Sequence, residues 1–154
     1  MLYGFTGAGK TTFAKKLESE QRAVRFTYDE WMHRLYGSNP PAEHFSDYFD
    51  RISALIWEYA EAFLRSGQDV VLDSGFWSRA SRDETRARLR RIGAEPRLYY
   101  LECPLDVMKA RVRERTAHVP VDSLWIDEHA FELFKERLEP LGADEEHEIV
   151  RSYR

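Results

Sequence analysis

The sequence predicts an α/β domain in which a parallel sheet carries helices on both faces. Three observations predict this class. Short apolar runs alternate with helix-forming runs, the apolar runs have the length of buried strands, and a glycine-rich loop separates the first run from the first helix. Ligands of such sheets bind at the carboxyl ends of the strands. The residues that follow each strand are therefore the candidates for function.

Length, composition and charge indicate a globular protein and disfavour nucleic-acid-binding and membrane-spanning classes. The 154 residues predict one domain, residues 1–154, and 43% apolar with 32% charged residues is ordinary for a globular chain. The net charge of −4 disfavours nucleic acid as a partner and gives no attraction to an anionic membrane. No apolar run approaches the roughly 20 residues of a membrane span. Because the single cysteine, Cys103, cannot form an internal disulfide, we expect a cytoplasmic protein.

The loop after the first apolar run carries the strongest motif. Residues 4–11 read G-F-T-G-A-G-K-T, a full match to the phosphate-binding pattern G-x-x-x-x-G-K-[ST]. The glycines allow backbone N–H groups to converge on an anion, Lys10 would reach the β- and γ-phosphates, and Thr11 would hold Mg²⁺. We therefore predict ATP and Mg²⁺ as cofactors; the absence of a guanine-reading N-K-x-D run favours ATP over GTP. The predicted cofactor-binding residues of the loop are Gly4, Thr6, Gly7, Ala8, Gly9, Lys10, Thr11 and Thr12.

The first strand is expected to be short, or to extend into residues upstream. Only residues 1–3 precede the loop, whereas a buried strand is normally about five residues long. Since the loop starts at the fourth residue, we expect no signal peptide.

The later elements follow in order from periodicity and breakers. A helix follows the loop over residues 12–17, and a strand follows at 24–27. A helix over 30–36 is stopped by Gly37 and the turn at 39–41. Apolar residues three and four apart, from Phe45 to Phe63, predict a long helix that ends at Gly67. Further strands are predicted at 70–72, 98–101 and 149–150, and further helices at 78–92, 105–115 and 127–138.

Two aspartates follow predicted strands. Asp73 ends the run D-V-V-L-D, where a carboxylate would orient Mg²⁺ directly or through water. Asp29 follows V-R-F-T-Y and could accept the proton of an acceptor hydroxyl. Its alternative role is the N-cap of the helix that starts at Glu30, because Asp is a favoured capping residue.

Arginines on the helix after the fourth strand are candidates for charge stabilisation. Arg111 and Arg115 are four residues apart and share a helix face, while Arg113 points elsewhere. They could stack on the base and neutralise the transferring phosphoryl group, beneath a lid around residues 111–127. The alternative is a solvated basic face paired with Glu114 and Asp106.

The acceptor contacts are predicted from residues just past strand ends. Trp31 and Phe76 could line an apolar pocket, and Arg79 with Arg82 could hold an anionic group. The alternatives are core packing for the aromatics and surface charge for the arginines. The five histidines have no metal-like spacing.

Taken together, these residues resemble the small P-loop kinases. The nearest group is the AAA-type ATP-binding kinases related to polynucleotide 5′-hydroxyl kinase, zeta toxin and chloramphenicol phosphotransferase. The matching segments are G-F-T-G-A-G-K-T, Y-D-E-W-M, V-V-L-D-S-G-F-W-S-R-A-S-R and L-E-P-L-G-A-D-E-E.

The resemblance implies a fold and a set of roles. The fold is the three-layer P-loop NTPase fold, with a five-stranded parallel sheet in the order 2-3-1-4-5. The implied roles are general base for Asp29, metal site for Asp73, lid arginine for Arg115 and adenine stacking for Arg111. Two departures concern the acceptor side: Gly75 stands where relatives often carry Asn, and no second lid arginine occurs in residues 116–126.

The predicted function is an ATP-dependent kinase that phosphorylates a hydroxyl of a small molecule. Two alternatives remain open from the sequence. One is a polynucleotide 5′-hydroxyl kinase, and the other is a slow ATPase that acts as a nucleotide-dependent switch or binding module.

Overall fold

The computed structural model describes residues 1–117 and 124–152. The strands are β1 (Leu2–Tyr3), β2 (Val24–Thr27), β3 (Val70–Asp73), β4 (Tyr99–Glu102) and β5 (Glu148–Arg151). The helices are α1 (Lys10–Gln21), α2 (Tyr28–Tyr36), α3 (Ala42–Arg65), α4 (Arg79–Arg91), α5 (Leu105–Ala117) and α6 (Glu128–Glu136).

The described strands pair in parallel, as predicted. They form a three-stranded sheet in the order β1-β4-β5 and a two-stranded sheet of β2 and β3. A single parallel bridge between Tyr3 and Gly75 lies where the predicted order places β1 beside β3. The α/β class with a parallel sheet is confirmed, while the continuous five-strand order stays a prediction.

Two apolar clusters lie on opposite sides of the strands. Leu2 and Val71 belong to one cluster, and their chain neighbours Tyr3 and Leu72 belong to the other. This alternation follows from the strand geometry, in which successive side chains point to opposite faces. The first cluster is completed by α1, α5 and α6, and the second by α2, α3 and α4. Helices therefore cover both faces.

Helix starts agree with the sequence where a side chain caps the helix. Ser78 Oγ accepts a hydrogen bond from the Ser81 N–H at 3.1 Å, and Asp127 Oδ1 accepts one from the Ala130 N–H at 2.7 Å. These are the two residues at which the predicted helices begin. The helix after β2 differs, because it starts at Tyr28 with Thr27 as its N-cap.

The predicted lid is described only in part. Residues 111–117 are the last turns of α5, and 124–126 lead into α6, while 118–123 lie outside the described residues. The Trp125 N–H donates to the Ser38 carbonyl oxygen at 3.0 Å, which joins this segment to the turn before α3. Among the described helices, none is both long and apolar enough to cross a membrane.

Candidate active site

The loop between β1 and α1 requires glycine at specific positions. Gly7 has φ of 81° and Gly9 has φ of 93°, both in the left-handed region. A Cβ at Gly7 would lie 2.6 Å from the Met108 carbonyl oxygen of α5. The loop is therefore pressed against α5, and α1 begins directly after it with its N-terminal N–H groups at the site.

This close approach predicts that Gly7→Ala lowers the affinity for ATP. Both the left-handed backbone and the contact with Met108 oppose a Cβ, so we expect ATP binding to weaken at least about tenfold as the loop shifts. The matched control is Gly67→Ala, because Gly67 has φ of 82° but nothing within 4 Å of its added Cβ. It should lose about 1 kcal/mol of unfolding free energy and bind ATP normally. Equal ATP affinity for the two variants, measured by calorimetry, would contradict the prediction.

Lys10, Thr11 and Asp73 meet at the carboxyl end of β3. The Lys10 ammonium donates to the Phe5 carbonyl oxygen at 3.0 Å, and burial lowers its pKa against the opposing charges of Asp73 and Asp29. Asp73 is only 4% exposed, and burial raises the pKa of its carboxyl. The Thr11 hydroxyl hydrogen-bonds to Asp73, and the Thr27 hydroxyl lies 3.4 Å from it.

The donor set fits a magnesium ion shared with a nucleotide. Within residues 1–117 and 124–152, no group of three or more His, Cys, Asp and Glu could hold a metal alone. Asp73 and Thr11 instead supply one carboxylate and one hydroxyl, both hard oxygen donors. Mg²⁺ in phosphoryl-transfer sites is bound in this way, with phosphate oxygens and water completing the shell.

Asp29 lies in the first turn of α2 and faces the cleft. Because α2 begins at Tyr28, Asp29 is the second residue of the helix, and the N-cap alternative is wrong. Its side chain is exposed and lines the same cleft as Lys10. Burial lowers the pKa of Lys10, and the negative charge of Asp29 across the same cleft partly opposes that shift.

The arginines of α5 separate as their spacing predicts. Arg115 Nη2 donates to the Thr6 hydroxyl at 3.1 Å, and Arg111 Nη1 donates to the Gly7 carbonyl oxygen at 3.3 Å. Arg111 Nη2 also donates to the Ser152 carbonyl oxygen at 2.7 Å. Arg113 points away and pairs with Glu128 at 2.7 Å on the surface. Two guanidinium groups therefore stand over the loop.

One open cleft of about 1220 Å³ joins these groups. Gly4 and Ala8 are buried residues of the loop that do not line the cleft, while Trp31 packs against Phe26 with ring centroids 6.1 Å apart. Trp31 therefore packs against the apolar core, which was the alternative to a role in the acceptor pocket. The cleft is lined by the predicted residues Thr6, Gly7, Gly9, Lys10, Thr11, Thr12, Asp29, Asp73, Phe76, Arg111 and Arg115.

The structure corrects the prediction that Arg82 contacts the acceptor. Arg82 is 0% exposed, and its Nε and Nη2 pair with Glu145 at 2.7 and 2.8 Å. Its Nη1 donates to the carbonyl oxygens of Phe76 and Trp77 at 3.0 and 3.1 Å. A guanidinium occupied in this way holds the loop after β3 and has no donor for a substrate.

Arg79 is also placed away from the predicted acceptor. Its guanidinium pairs with Asp83 and Asp144, both at 2.7 Å. Arg79 is therefore a surface charge, which was the alternative to an acceptor contact. It is not among the described residues that line the cleft.

Sequence reasoning missed the far end of the cleft. Phe49, Trp57 and Arg88 line it, although the sequence analysis placed Phe49 only in the apolar stripe of a helix and gave Arg88 no part in the site. A signal was present in the four-residue spacing of Phe45, Phe49, Ser53 and Trp57, but spacing does not show what a helix face covers.

A phosphate-binding loop at the edge of a parallel sheet, with helices on both faces, defines a P-loop protein of α/β class. The family model described as "AAA domain" matches residues 1–141, so the chain belongs to the AAA domain family. The resemblance found in the motifs is thereby confirmed. No curated protein matches the sequence at a significant level.

Several solved structures share the fold. A protein from Chloroflexus aurantiacus, provisionally described as a kinase, is 20% identical with a TM-score of 0.75, covering 97% of this chain and 85% of its own. A gluconokinase from Sinorhizobium meliloti is 18% identical with a TM-score of 0.64, covering 99% and 81%. A chain of the Pnkp1/Rnl/Hen1 RNA repair complex is 22% identical with a TM-score of 0.73, covering 89% and 42%.

Proposed function

We propose that the protein is an ATP-dependent phosphotransferase that moves the γ-phosphoryl group to a hydroxyl of a small molecule. The observation that carries the proposal is the single cleft that joins the phosphate-binding loop to the exposed carboxylate of Asp29. A site that only binds a nucleotide does not require a carboxylate at this position. Transfer of a phosphoryl group to a hydroxyl requires a group that accepts the hydroxyl proton. The likeness to a gluconokinase and a kinase-like protein supports the same reading.

Each group has a stated part in this proposal. The loop N–H groups and Lys10 hold the phosphates, while Arg111 stacks on the base. Thr11 and Asp73 would hold Mg²⁺, which when bound neutralises charge on the β- and γ-phosphates. Asp29 accepts the proton of the attacking hydroxyl, and Arg115 stabilises charge on the transferring group.

The remaining expectations belong to the same proposal. They are a single domain with the strand order 2-3-1-4-5, a lid around residues 111–127 that excludes water, and a cytoplasmic setting. Phe76 is the predicted acceptor residue that lines the cleft.

The direct test follows label from γ-labelled ATP with Mg²⁺ into panels of hydroxylated small molecules and 5′-hydroxyl oligonucleotides. Label on a small molecule supports the proposal. Label on oligonucleotides alone would favour a polynucleotide kinase, and slow phosphate release without a labelled product would favour a nucleotide-dependent switch.

Asp29→Asn tests the base. We expect the transfer rate to fall about 10²- to 10⁴-fold while ATP affinity changes little, because the amide cannot accept the proton. The control is Asp47→Asn, which removes an exposed carboxylate of α3 paired with Arg51. An unchanged transfer rate in Asp29→Asn would remove Asp29 from the mechanism.

A further inference from the structure

The cleft continues beyond Asp29 into a space between α3 and α4. Four residues of α3, each four apart, line it and therefore lie on one helix face: Phe45, Phe49, Ser53 and Trp57. The facing residues of α4 are three and four apart: Ser81, Glu84 and Arg88. We call this space the α3–α4 pocket. It is continuous with the site of Lys10 and Asp29.

One wall of the α3–α4 pocket is aromatic and accessible. Phe49 stacks on Tyr28, with ring centroids 5.2 Å apart and planes at 26°. Phe45 and Phe49 remain 38% and 37% exposed, although both are large apolar side chains. Tyr28 is the residue before Asp29, so the aromatic wall leads directly to the proposed base. Aromatic walls with a few polar groups are typical of small-molecule sites.

The charged groups that the structure describes at the pocket leave no unpaired positive charge. The Arg88 guanidinium lies 4.2 Å from the centroid of the Trp57 ring, and its Nε donates to Glu61 Oε1 at 2.6 Å. Arg88 and Arg65 lower the pKa of Glu61, which keeps that carboxylate ionised against Arg88. Glu84 adds a further negative charge on the lining.

The loop end of the same cleft is different in charge. Asp29 and Asp73 are carboxylates at this end. Four cationic side chains line it as well: Lys10, Lys15, Arg111 and Arg115. The cationic end suits a triphosphate, while an anionic acceptor in the α3–α4 pocket would meet Glu84 and an arginine already paired. An uncharged acceptor avoids both costs.

We propose that the α3–α4 pocket is the acceptor site and that the acceptor is an uncharged alcohol carrying an aromatic or alicyclic ring. The ring packs on Phe49 and Phe45, and the hydroxyl reaches Asp29. The hydroxyl oxygen bonds to the γ-phosphorus, the bond from that phosphorus to the bridging oxygen breaks, ADP leaves, and the proton passes to Asp29. This inference rests on the proposed function for the transfer step, but not for binding.

Binding is tested first, in the presence of Mg²⁺ and a non-hydrolysable ATP analogue. The probes are phenyl β-D-glucoside, gluconate and a 5′-hydroxyl oligothymidylate, each observed by saturation-transfer NMR at millimolar concentration. We expect the neutral glucoside to bind and the two anionic probes to bind at least about tenfold more weakly. Stronger binding of either anionic probe, or no binding of the glucoside, overturns the proposal.

Two variants locate the site. Phe49→Ala should weaken the glucoside about tenfold without changing affinity for the ATP analogue, since a ring contact is lost. The control is Tyr59→Ala, which removes an exposed ring elsewhere on α3. Glu61→Gln should leave the glucoside unchanged and strengthen gluconate, because Arg88 loses its paired charge. Unchanged glucoside affinity in Phe49→Ala overturns the assignment.

Label transfer separates this inference from the proposed function. Transfer to the glucoside, with a KM raised by Phe49→Ala, supports both. Glucoside binding that Phe49→Ala weakens, with label released only as phosphate, supports the pocket and contradicts the kinase. Transfer to gluconate but not to the glucoside supports the kinase and overturns the acceptor class.

Discussion

Replacing Lys10 with alanine is expected to lower the rate of phosphoryl transfer about a thousandfold. Its ammonium is held at the Phe5 carbonyl oxygen, 3.0 Å away, and lines the cleft beside Asp73. A fixed cation at the β- and γ-phosphates counts most where charge develops during transfer, and comparable cationic groups contribute 10³- to 10⁵-fold. Burial lowers the pKa of Lys10, and the negative charge of an approaching triphosphate would oppose that shift and favour the ammonium form.

The matched control is Lys16→Ala on the same helix. Lys16 is exposed and lies 3.9 Å from Glu20, so its loss removes an equal charge outside the cleft. Single-turnover transfer of labelled phosphate, to whichever acceptor the label-transfer panels identify, should be near normal in Lys16→Ala. A Lys10→Ala enzyme with wild-type single-turnover rates would show that the loop does not act on the transferred group.

Replacing Arg82 with methionine is expected to lower the free energy of unfolding by about 3–5 kcal/mol. The change removes the two closest cationic contacts of Glu145, which is 1% exposed in its side chain, and leaves it Arg86 at 2.9 Å and Arg79 at 3.7 Å. It also removes donors from the Phe76 and Trp77 carbonyl oxygens. Breaking one side of a buried ion pair has a cost of this size, because the remaining charge stays buried.

Urea unfolding measures this effect, with Arg113→Met as the surface control. Arg113 and Glu128 are 70% and 69% exposed, so that substitution should cost less than about 1 kcal/mol. The double variant Arg82→Met with Glu145→Leu should recover part of the loss, since neither charge of the pair is then buried and Arg86 keeps Asp83 as a partner at 3.1 Å. Equal costs for Arg82→Met and Arg113→Met would contradict the structural role of Arg82.

The same pair predicts a pH dependence of stability. Arg82 holds the pKa of Glu145 well below its usual range, so the folded state binds the carboxyl proton more weakly than the unfolded state does. The contribution of this pair to the free energy of unfolding is fully present above the pKa that Glu145 has in the unfolded state, about 4.3. It is lost as pH falls toward the lower pKa of the folded state. Arg82→Met should reduce this acid sensitivity, while the Gly142 N–H and Arg86 still favour the ionised carboxylate; urea titrations at several pH values measure the change.

The sequence by itself determined the features that depend on neighbours in the chain. The loop at 4–11 was readable because glycine, lysine and threonine must stand at set spacings for a backbone to surround phosphate. Asp73 was found because it ends an apolar run, and Arg111 with Arg115 because four residues make one helix turn. Ser78 and Asp127 marked helix starts through the hydrogen bonds that their side chains make within one turn.

Tertiary structure alone decided which charges and rings face the cleft. Arg82 has the same local pattern as a surface arginine, yet it is buried because Glu145, 63 residues away, packs against it. Trp31 faces Phe26, while Phe49 is left open to the cleft across from α4. Periodicity shows that residues share a helix face, but the partner of that face is chosen by contacts between distant segments. For that reason the nucleotide end of the site was predictable and the α3–α4 pocket was not.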